Sequence, residues 1–343
     1  MVKCEMNIRV SVMEEEEMKN WDVLVESFTH GTIFHTLNWL RIVEKHTNSK
    51  LYPLIGIKGE KVVGIFPIFY RKKGILRMVF SPPPKVGIPY MGPVLFDYER
   101  LKQEKRESLL HDFVRGLDSF IQNNFKPHYT YIRMPPGLND CRPFKWLGYH
   151  ANPVYSYLLD ISISLSDIEA NFSIQARRNI KQAIKKDNLR FEEGFEEELK
   201  FLYNMLFDRY KEQGEKIPIS MDYLKDLFYK FSPENMKIFV IRNQNGEIVS
   251  GGVKLCYNDK IMDWIGQPKT SVRTSNDFLH YNVIKWGVEH KFRYYEILGA
   301  NTLSISKFKS KFNPSLEIYF EIKKAKTFGI IAEKLYSKLR NYI

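Results

Sequence analysis

Cysteine is scarce in this chain: three among 343 residues, at Cys4, Cys141 and Cys256, and no two close enough for a CxxC pair. That spacing argues against a structural zinc site or a disulfide framework and suits a reducing compartment. Long apolar runs are missing as well. No stretch approaches the roughly 20 apolar residues that a spanning helix needs, and Glu14–Glu17 interrupts the N-terminal segment where a secretory leader would have its apolar core. The expectation is a protein of the cytoplasm with no transmembrane segment. The eight histidines (His30, His35, His46, His111, His128, His150, His280 and His290) show no metal-ligand spacing, and no HExxH, Walker or GxSxG pattern occurs. Low-complexity segments are absent too, so disorder is not the default.

What is present is core material: 44% hydrophobic and 14% aromatic residues, ample for two domains in a chain of this length. The net charge of +12 is unevenly placed. Residues 171–190 carry six Lys/Arg against one acidic residue, and residues 301–343 carry nine against three. Clustering of this kind suits an anionic partner such as a phosphate, a nucleic acid or a membrane surface.

Periodicity predicts an α/β (α+β) chain that repeats itself. A strand at 7–12, helices at 18–27 and 36–46, strands at 52–57, 61–71 and 76–81, a helix at 99–123 and strands at 129–133 and 155–160 make the first half. Near 165 the pattern restarts with a helix at 168–187, a strand at 189–193 and helices at 196–213 and 222–231. A meander at 237–242, 248–257 and 260–267 follows, then a helix at 276–290 and strands at 294–298 and 316–322. The expected division is 1–164, 165–325 and a basic C-terminal helix, 326–343. Between the halves' elements, the segment 81–93 is too rich in proline for a helix or a central strand. It reads equally as a binding wall or a rigid connector.

The stretch from Tyr294 to Pro314 organises the second half. A short buried strand meets Gly299, which permits a sharp turn, and Asn301 or Thr302 is placed to cap the helix that follows. On that helix Ile305, Phe308 and Phe312 share an apolar face, Lys307 and Lys311 are i, i+4 neighbours, and Lys309 projects elsewhere. Two cations on one face repel, so an anion nearby favours the arrangement; a solvated surface helix is the plain alternative. Arg178 and Lys181 offer a second cationic face. Asp263 and Glu296, on sheet strands, are candidates for a base or an orienting group as well as for purely structural roles. Trp264, Tyr281 and Trp286 read as core.

Four local patterns, taken in order, resemble a known family: Phe34-His-Thr-Leu-Asn-Trp39, Arg177-Arg-Asn-Ile-Lys-Gln-Ala183, the crossover helix at 277–287, and Leu298-Gly-Ala-Asn301 followed by Lys307-Phe-Lys-Ser-Lys-Phe312. Together with the element order they resemble a duplicated GNAT acyltransferase fold, as in the FemAB-like family and its relatives with a BioF2-like acetyltransferase domain. The resemblance implies two tandem GNAT-like domains, each a mixed, largely antiparallel sheet flanked by helices. It implies transfer of an acyl or aminoacyl group to an amine, on a small molecule or a peptide, with aminoacyl-tRNA or acyl-CoA as donor and no permanently bound cofactor or metal. Lys309, in the FK position of the matched pattern, is the implied catalytic cation. Arg178, Lys181, Lys307 and Lys311 are the candidate phosphate contacts.

Two departures matter. The coenzyme A pyrophosphate loop of ordinary GNAT enzymes, (R/Q)xxGx(G/A), would fall on residues 273–278. There Arg273 is in place, both glycines are missing and Asp277 adds a negative charge. Arg273 and Asn276 stay as candidate contacts, while aminoacyl-tRNA is favoured over acyl-CoA. Family members that act on nucleotide-linked cell-wall precursors tend to carry a lysine one turn after the early Trp, where this chain has Val43, which leaves the acceptor open. The rival class is a binder without turnover. In that case Ile331, Leu335 and Leu339, with Lys334, Lys338 and Arg340 beside them, would rest on an anionic membrane surface.

Overall fold

The computed structural model describes residues 8–266 and 270–326. Among these residues there are thirteen strands and ten α-helices. In chain order they are β1 (Arg9–Val12), α1 (Trp21–Ser27), α2 (Leu37–His46), β2 (Lys50–Lys58), β3 (Lys61–Lys73), β4 (Leu76–Ser81), β5 (Val94–Leu95), α3 (Gln103–Asn124), β6 (Tyr129–Arg133), α4 (Arg142–Trp146) and β7 (His150–Asp160). Then come α5 (Leu165–Ala170), α6 (Ile174–Lys185), β8 (Arg190–Gly194), α7 (Glu196–Glu212), α8 (Met221–Phe231), β9 (Met236–Arg242), β10 (Ile248–Tyr257), β11 (Lys260–Gly266), α9 (Ser275–Glu289), β12 (Tyr294–Ile297), α10 (Leu303–Lys309) and β13 (Ser315–Ala325). Most of the sequence-read elements are found within a few residues of these bounds. The C-terminal helix, Cys4 and the end of the strand expected to reach Gln267 lie outside the described residues.

One long helix expected at 168–187 is two. The first ends at Ala170, and Ser173 starts the second: it leaves helical backbone geometry, and its hydroxyl accepts the Ala176 N–H at 3.1 Å to cap α6. Of the two caps expected for α10, Asn301 and Thr302, Asn301 does other work. Its amide clamps the backbone of Tyr155 instead, accepting from the N–H at 2.9 Å and donating to the carbonyl at 3.0 Å. Thr302 occupies the capping position of α10 without a side-chain bond.

The chain divides into two compact units, one reaching Val154 and resuming at Ile318, the other spanning Tyr155–Glu317. The first cut thus falls at 154/155 where the sequence reading had 164/165, because the second half of β7 ladders with β12 (Leu159 opposite Tyr295). The second falls inside β13, whose Glu321–Ala325 pairs with β6.

In the first unit the strand order is β1-β2-β3-β4-β6-β13, with β5 on β3. Among its described strands only β4 and β6 run parallel, and α3 makes the crossover between them. Leu110, Phe113, Leu117 and Ile121 recur at helical spacing on α3 and form its buried stripe. The proline-rich segment is packed inside this unit. Tyr90 and Met91 are fully buried, Met91 N–H donates to the Arg133 carbonyl at 3.0 Å, and Gly92 N–H donates to Ser81 Oγ at 3.1 Å. His35 ties the early aromatic helix start to the same segment. Its Nδ1 accepts the Thr32 N–H at 3.2 Å, so Nε2 carries the proton and donates to the Met91 carbonyl at 3.0 Å. Burial then lowers its pKa to about 4, against the help of these carbonyls.

The second unit has strand order β7-β12-β11-β10-β9-β8, again with one parallel pair, β11 and β12, and one crossover helix, α9. Its core joins Ala176, Ile180 and Ala183 of α6, Phe278, Leu279, Val283 and Ile284 of α9, sheet residues such as Tyr295 and Ile297, and Phe312. The hydrophobic side of α9 is broad because the sheet and α6 both pack on it.

Candidate functional site

The parallel ladder between β11 and β12 has only three paired positions, the last being Met262 opposite Glu296. Past that point the strands are no longer paired, and the groups at their ends need other partners. Gly299, at φ +94°, turns the chain from β12 toward α10. At the far end of α10, the Lys309 ammonium donates to the Leu298 carbonyl and lies 3.8 Å from Asp263 Oδ2. It therefore spans the gap that opens where β11 and β12 part.

Asp263 is 5% exposed and has a nearer partner. Lys254 stands directly opposite it on β10, on the same sheet face, and its Nζ reaches Asp263 Oδ1 at 2.5 Å. Lys254 is 0% exposed. Burial pushes the Asp263 carboxyl up, but the Lys254 ammonium, with Lys309 behind it, outweighs burial and holds the group far below the usual carboxylate range. Burial lowers the Lys309 pKa; Asp263 opposes that shift and Lys254 adds to it. One carboxylate and two ammoniums give this interior a net positive charge.

His280 of α9 completes the cluster. Its Nδ1 is 2.7 Å from the Tyr295 hydroxyl, its Nε2 is 4.0 Å from Asp263 Oδ2, and the rings of Phe308 and Phe312 lie against it at 5.5 and 5.2 Å. Burial lowers its pKa to about 3 in spite of Asp263, so the contact with Asp263 is not an ion pair. The carboxylate beside Nε2 favours the proton there, which leaves Nδ1 to accept from the Tyr295 O–H.

Lys311, in the turn after α10, engages a second buried carboxylate. Its Nζ is 2.6 Å from Asp277 Oδ1, and Asn179 Nδ2 donates to Asp277 Oδ2 at 3.1 Å. Asp277, the departure noted in the sequence, is thus 1% exposed and satisfied from within.

Of the sequence-selected residues, the structure brings Asp263, Lys309 and Lys311 to this cluster. Asn276 accepts a hydrogen bond from Ser250 Oγ at 2.6 Å at the start of α9. Arg178 and Lys181 are exposed on α6, on the side away from the buried Asn179, and Arg273 and Lys307 are exposed as well. Glu296 is buried, with Ser156 Oγ at 3.0 Å and Lys260 at 3.2 Å. Trp264 is buried, and Tyr281 and Trp286 are half-buried beside the core, as read. Lys254 and Tyr295 were not selected. Among the described residues no cluster of His, Cys, Asp and Glu suits a metal, and no helix is long and apolar enough to cross a membrane.

A family model for the acetyltransferase (GNAT) domain matches residues 170–310. Those residues form a GNAT domain. It makes the chain an acyltransferase, and the cluster around Lys309 lies within it or at its edge. No curated protein matches the chain. Among solved structures, FemX is similar with a TM-score of 0.66 and 14% identity, covering 91% of this chain and 96% of its own. The C-terminal domain of a putative lysylphosphatidylglycerol synthetase from Agrobacterium fabrum is similar with a TM-score of 0.56 and 13% identity, over 96% and 98%. A tandem GNAT protein from the clavulanic acid pathway follows with 0.53 and 8%, over 92% and 97%. At these identities the likeness is one of fold, and it fits the two units with one parallel pair and one crossover helix each.

Proposed function

We propose that the GNAT domain transfers an aminoacyl group, carried as an ester on tRNA, to an amine acceptor, with Lys309 as the catalytic cation. The observation that carries this reading is the pairing of Asp263 with Lys254: the carboxylate is already satisfied, so Lys309 keeps a positive charge, largely dry, where the strands part. The acceptor nitrogen attacks the ester carbonyl and forms a C–N bond, while the carbonyl electron pair moves onto oxygen. Lys309 stabilises that oxyanion, and in a water-poor setting such a contact is often the largest single contribution to rate. When the pair returns, the tRNA hydroxyl leaves and takes up the proton that the nitrogen gives away. Lys307, Arg178, Lys181 and Arg273, all exposed cations, are the proposed phosphate contacts, with Asn276 beside them. Lys311 is assigned to holding Asp277.

The likeness to FemX and to a lysylphosphatidylglycerol synthetase domain supports an aminoacyl donor, as do Asn276 and Phe278, which stand where the two pyrophosphate-binding glycines would be expected, with the Asp277 carboxylate between them. A tRNA donor puts the protein in the cytoplasm, with a peptide, lipid or small-molecule amine as acceptor. A second reading, an acyl-CoA donor, is favoured by the acetyltransferase family model itself. Thermal-shift measurements with aminoacyl-tRNA, free tRNA and acetyl-CoA at two salt concentrations separate them. Stabilisation by aminoacyl-tRNA beyond free tRNA is expected. Stabilisation by acetyl-CoA alone selects the second reading, and salt-sensitive binding of tRNA without turnover selects a non-catalytic binder.

A further inference from the structure

The interior behind Lys309 is unusual for a sheet. Lys254 is a lysine on a central strand with no solvent exposure, and Gly252 makes the room for it: a Cβ at Gly252 would lie 2.6 Å from Lys254 Nζ and 2.6 Å from the Ile265 carbonyl. A register shift between Val253 and Lys254 on β10 occurs at this same point. A buried ion pair of this kind is weak evidence for stability, since well-packed apolar residues commonly serve as well. Its geometry relative to Lys309 supplies another reason for its presence. Asp263 Oδ1 faces Lys254 at 2.5 Å, and Oδ2 faces Lys309 at 3.8 Å.

We propose that Lys254 and Asp263 are a positioning pair for Lys309: Lys254 holds one carboxylate oxygen, so that the other steadies the Lys309 ammonium without cancelling its charge. The pair deepens the acyl-transfer reading and depends on it for its purpose, though not for its test. Without Lys254, Asp263 would close on Lys309 as a full ion pair and neutralise the oxyanion site. Without Asp263, two ammoniums would be buried together and Lys309 would lose its proton more readily. The other groups facing this point are His280, which is neutral, the Tyr295 hydroxyl, and Lys311, which is committed to Asp277.

The two partners therefore act on Lys309 with opposite sign, which a merely structural role would not produce. Trace labelling with acetic anhydride across pH, with peptides quantified by mass spectrometry, reads the pH at which Lys309 becomes half-reactive. In the wild-type chain that pH should lie below the one for the exposed Lys307, and Lys254 should stay unlabelled until the unit unfolds. In Lys254→Met the Lys309 value should rise, and in Asp263→Asn it should fall, each by about one unit or more. Shifts in the same direction, or none, overturn the pair; so does a wild-type Lys309 that titrates like Lys307, a result that needs no variant to fold. The labelling uses no substrate. A chain that shows these shifts and transfers nothing would overturn the acyl-transfer reading alone.

Discussion

His280 makes the second unit sensitive to acid in a window where few other groups titrate. Its folded pKa is lowered to about 3 from a usual 6.5, because burial among Tyr295, Phe308 and Phe312 disfavours the charged ring. The unfolded chain therefore binds a proton near pH 6.5 that the folded chain refuses. Stability is full above that value and declines as pH falls toward 3. At pH 5 the unfolded form has gained about 1.5 units of protonation advantage, or about 2 kcal/mol at 1.36 kcal/mol per unit. For a domain of this size that corresponds to a fall in Tm of about 4–8 °C. His35 in the first unit, lowered to about 4, adds a similar amount of its own at pH 5, about 2 kcal/mol. Urea denaturation at pH 7 and pH 5, followed by tryptophan fluorescence, should show the loss, and His280→Gln should remove its share. An imidazolium held by Asp263 would give the opposite sign, with stability gained as pH falls through a raised folded pKa toward 6.5 and no loss from this group below that value. A variant with the wild-type pH dependence, or a wild-type chain stabilised by acid, would refute the neutral assignment.

Three more outcomes are expected. Lys309→Ala should lower the rate of aminoacyl transfer by about 10²–10³, measured as discharge of labelled aminoacyl-tRNA, while leaving the melting curve nearly in place; undiminished discharge would remove Lys309 from catalysis. Phe312→Ala should cost about 3–5 kcal/mol, because the ring is fully buried against Phe172 and His280, and a cost below 1 kcal/mol in denaturant titration would contradict that packing. Lys311→Met should cost about 3 kcal/mol by leaving Asp277 charged and buried, and Asp277→Asn in the same chain should recover most of it. A double variant no more stable than the single one would show that Asn179 alone satisfies the carboxylate.

Much of this fold was legible because its elements announce themselves locally. β4, β6 and β10 carry apolar runs with turn residues at their ends, and the amphipathic stripes of α3 and α7 are long enough to count. The break before Ser173 was missed because helical periodicity continues across it, and only the three residues Asn171–Ser173 separate α5 from α6. Lys309 could be selected by resemblance, yet nothing local says that its ammonium reaches back to Leu298. Lys254 was within reach. The turn at Asn258-Asp259 sets Tyr257 against Lys260, and counting outward puts a lysine opposite an aspartate in two otherwise apolar strands. Such a pair inside a sheet asks for an explanation. His280 and Tyr295 meet only because α9 crosses over the sheet, and no spacing in the sequence shows that.

The path of β13 has a consequence for how the protein comes to be. Ile322 is buried in the core of the first unit, Met134 N–H donates to the Phe320 carbonyl at 2.8 Å, and Tyr131 donates to Glu321 at 2.7 Å. The half of the molecule that leaves the ribosome first thus lacks one of its own sheet strands until the other half has been made. During synthesis β6 is an open edge, a template for a wrong neighbour. A chain ended at Glu317 should stay in that condition, recovering little cooperative unfolding until a peptide covering 318–326 is supplied. A sharp two-step transition without the peptide would show that the strand is a late ornament rather than the closing stitch.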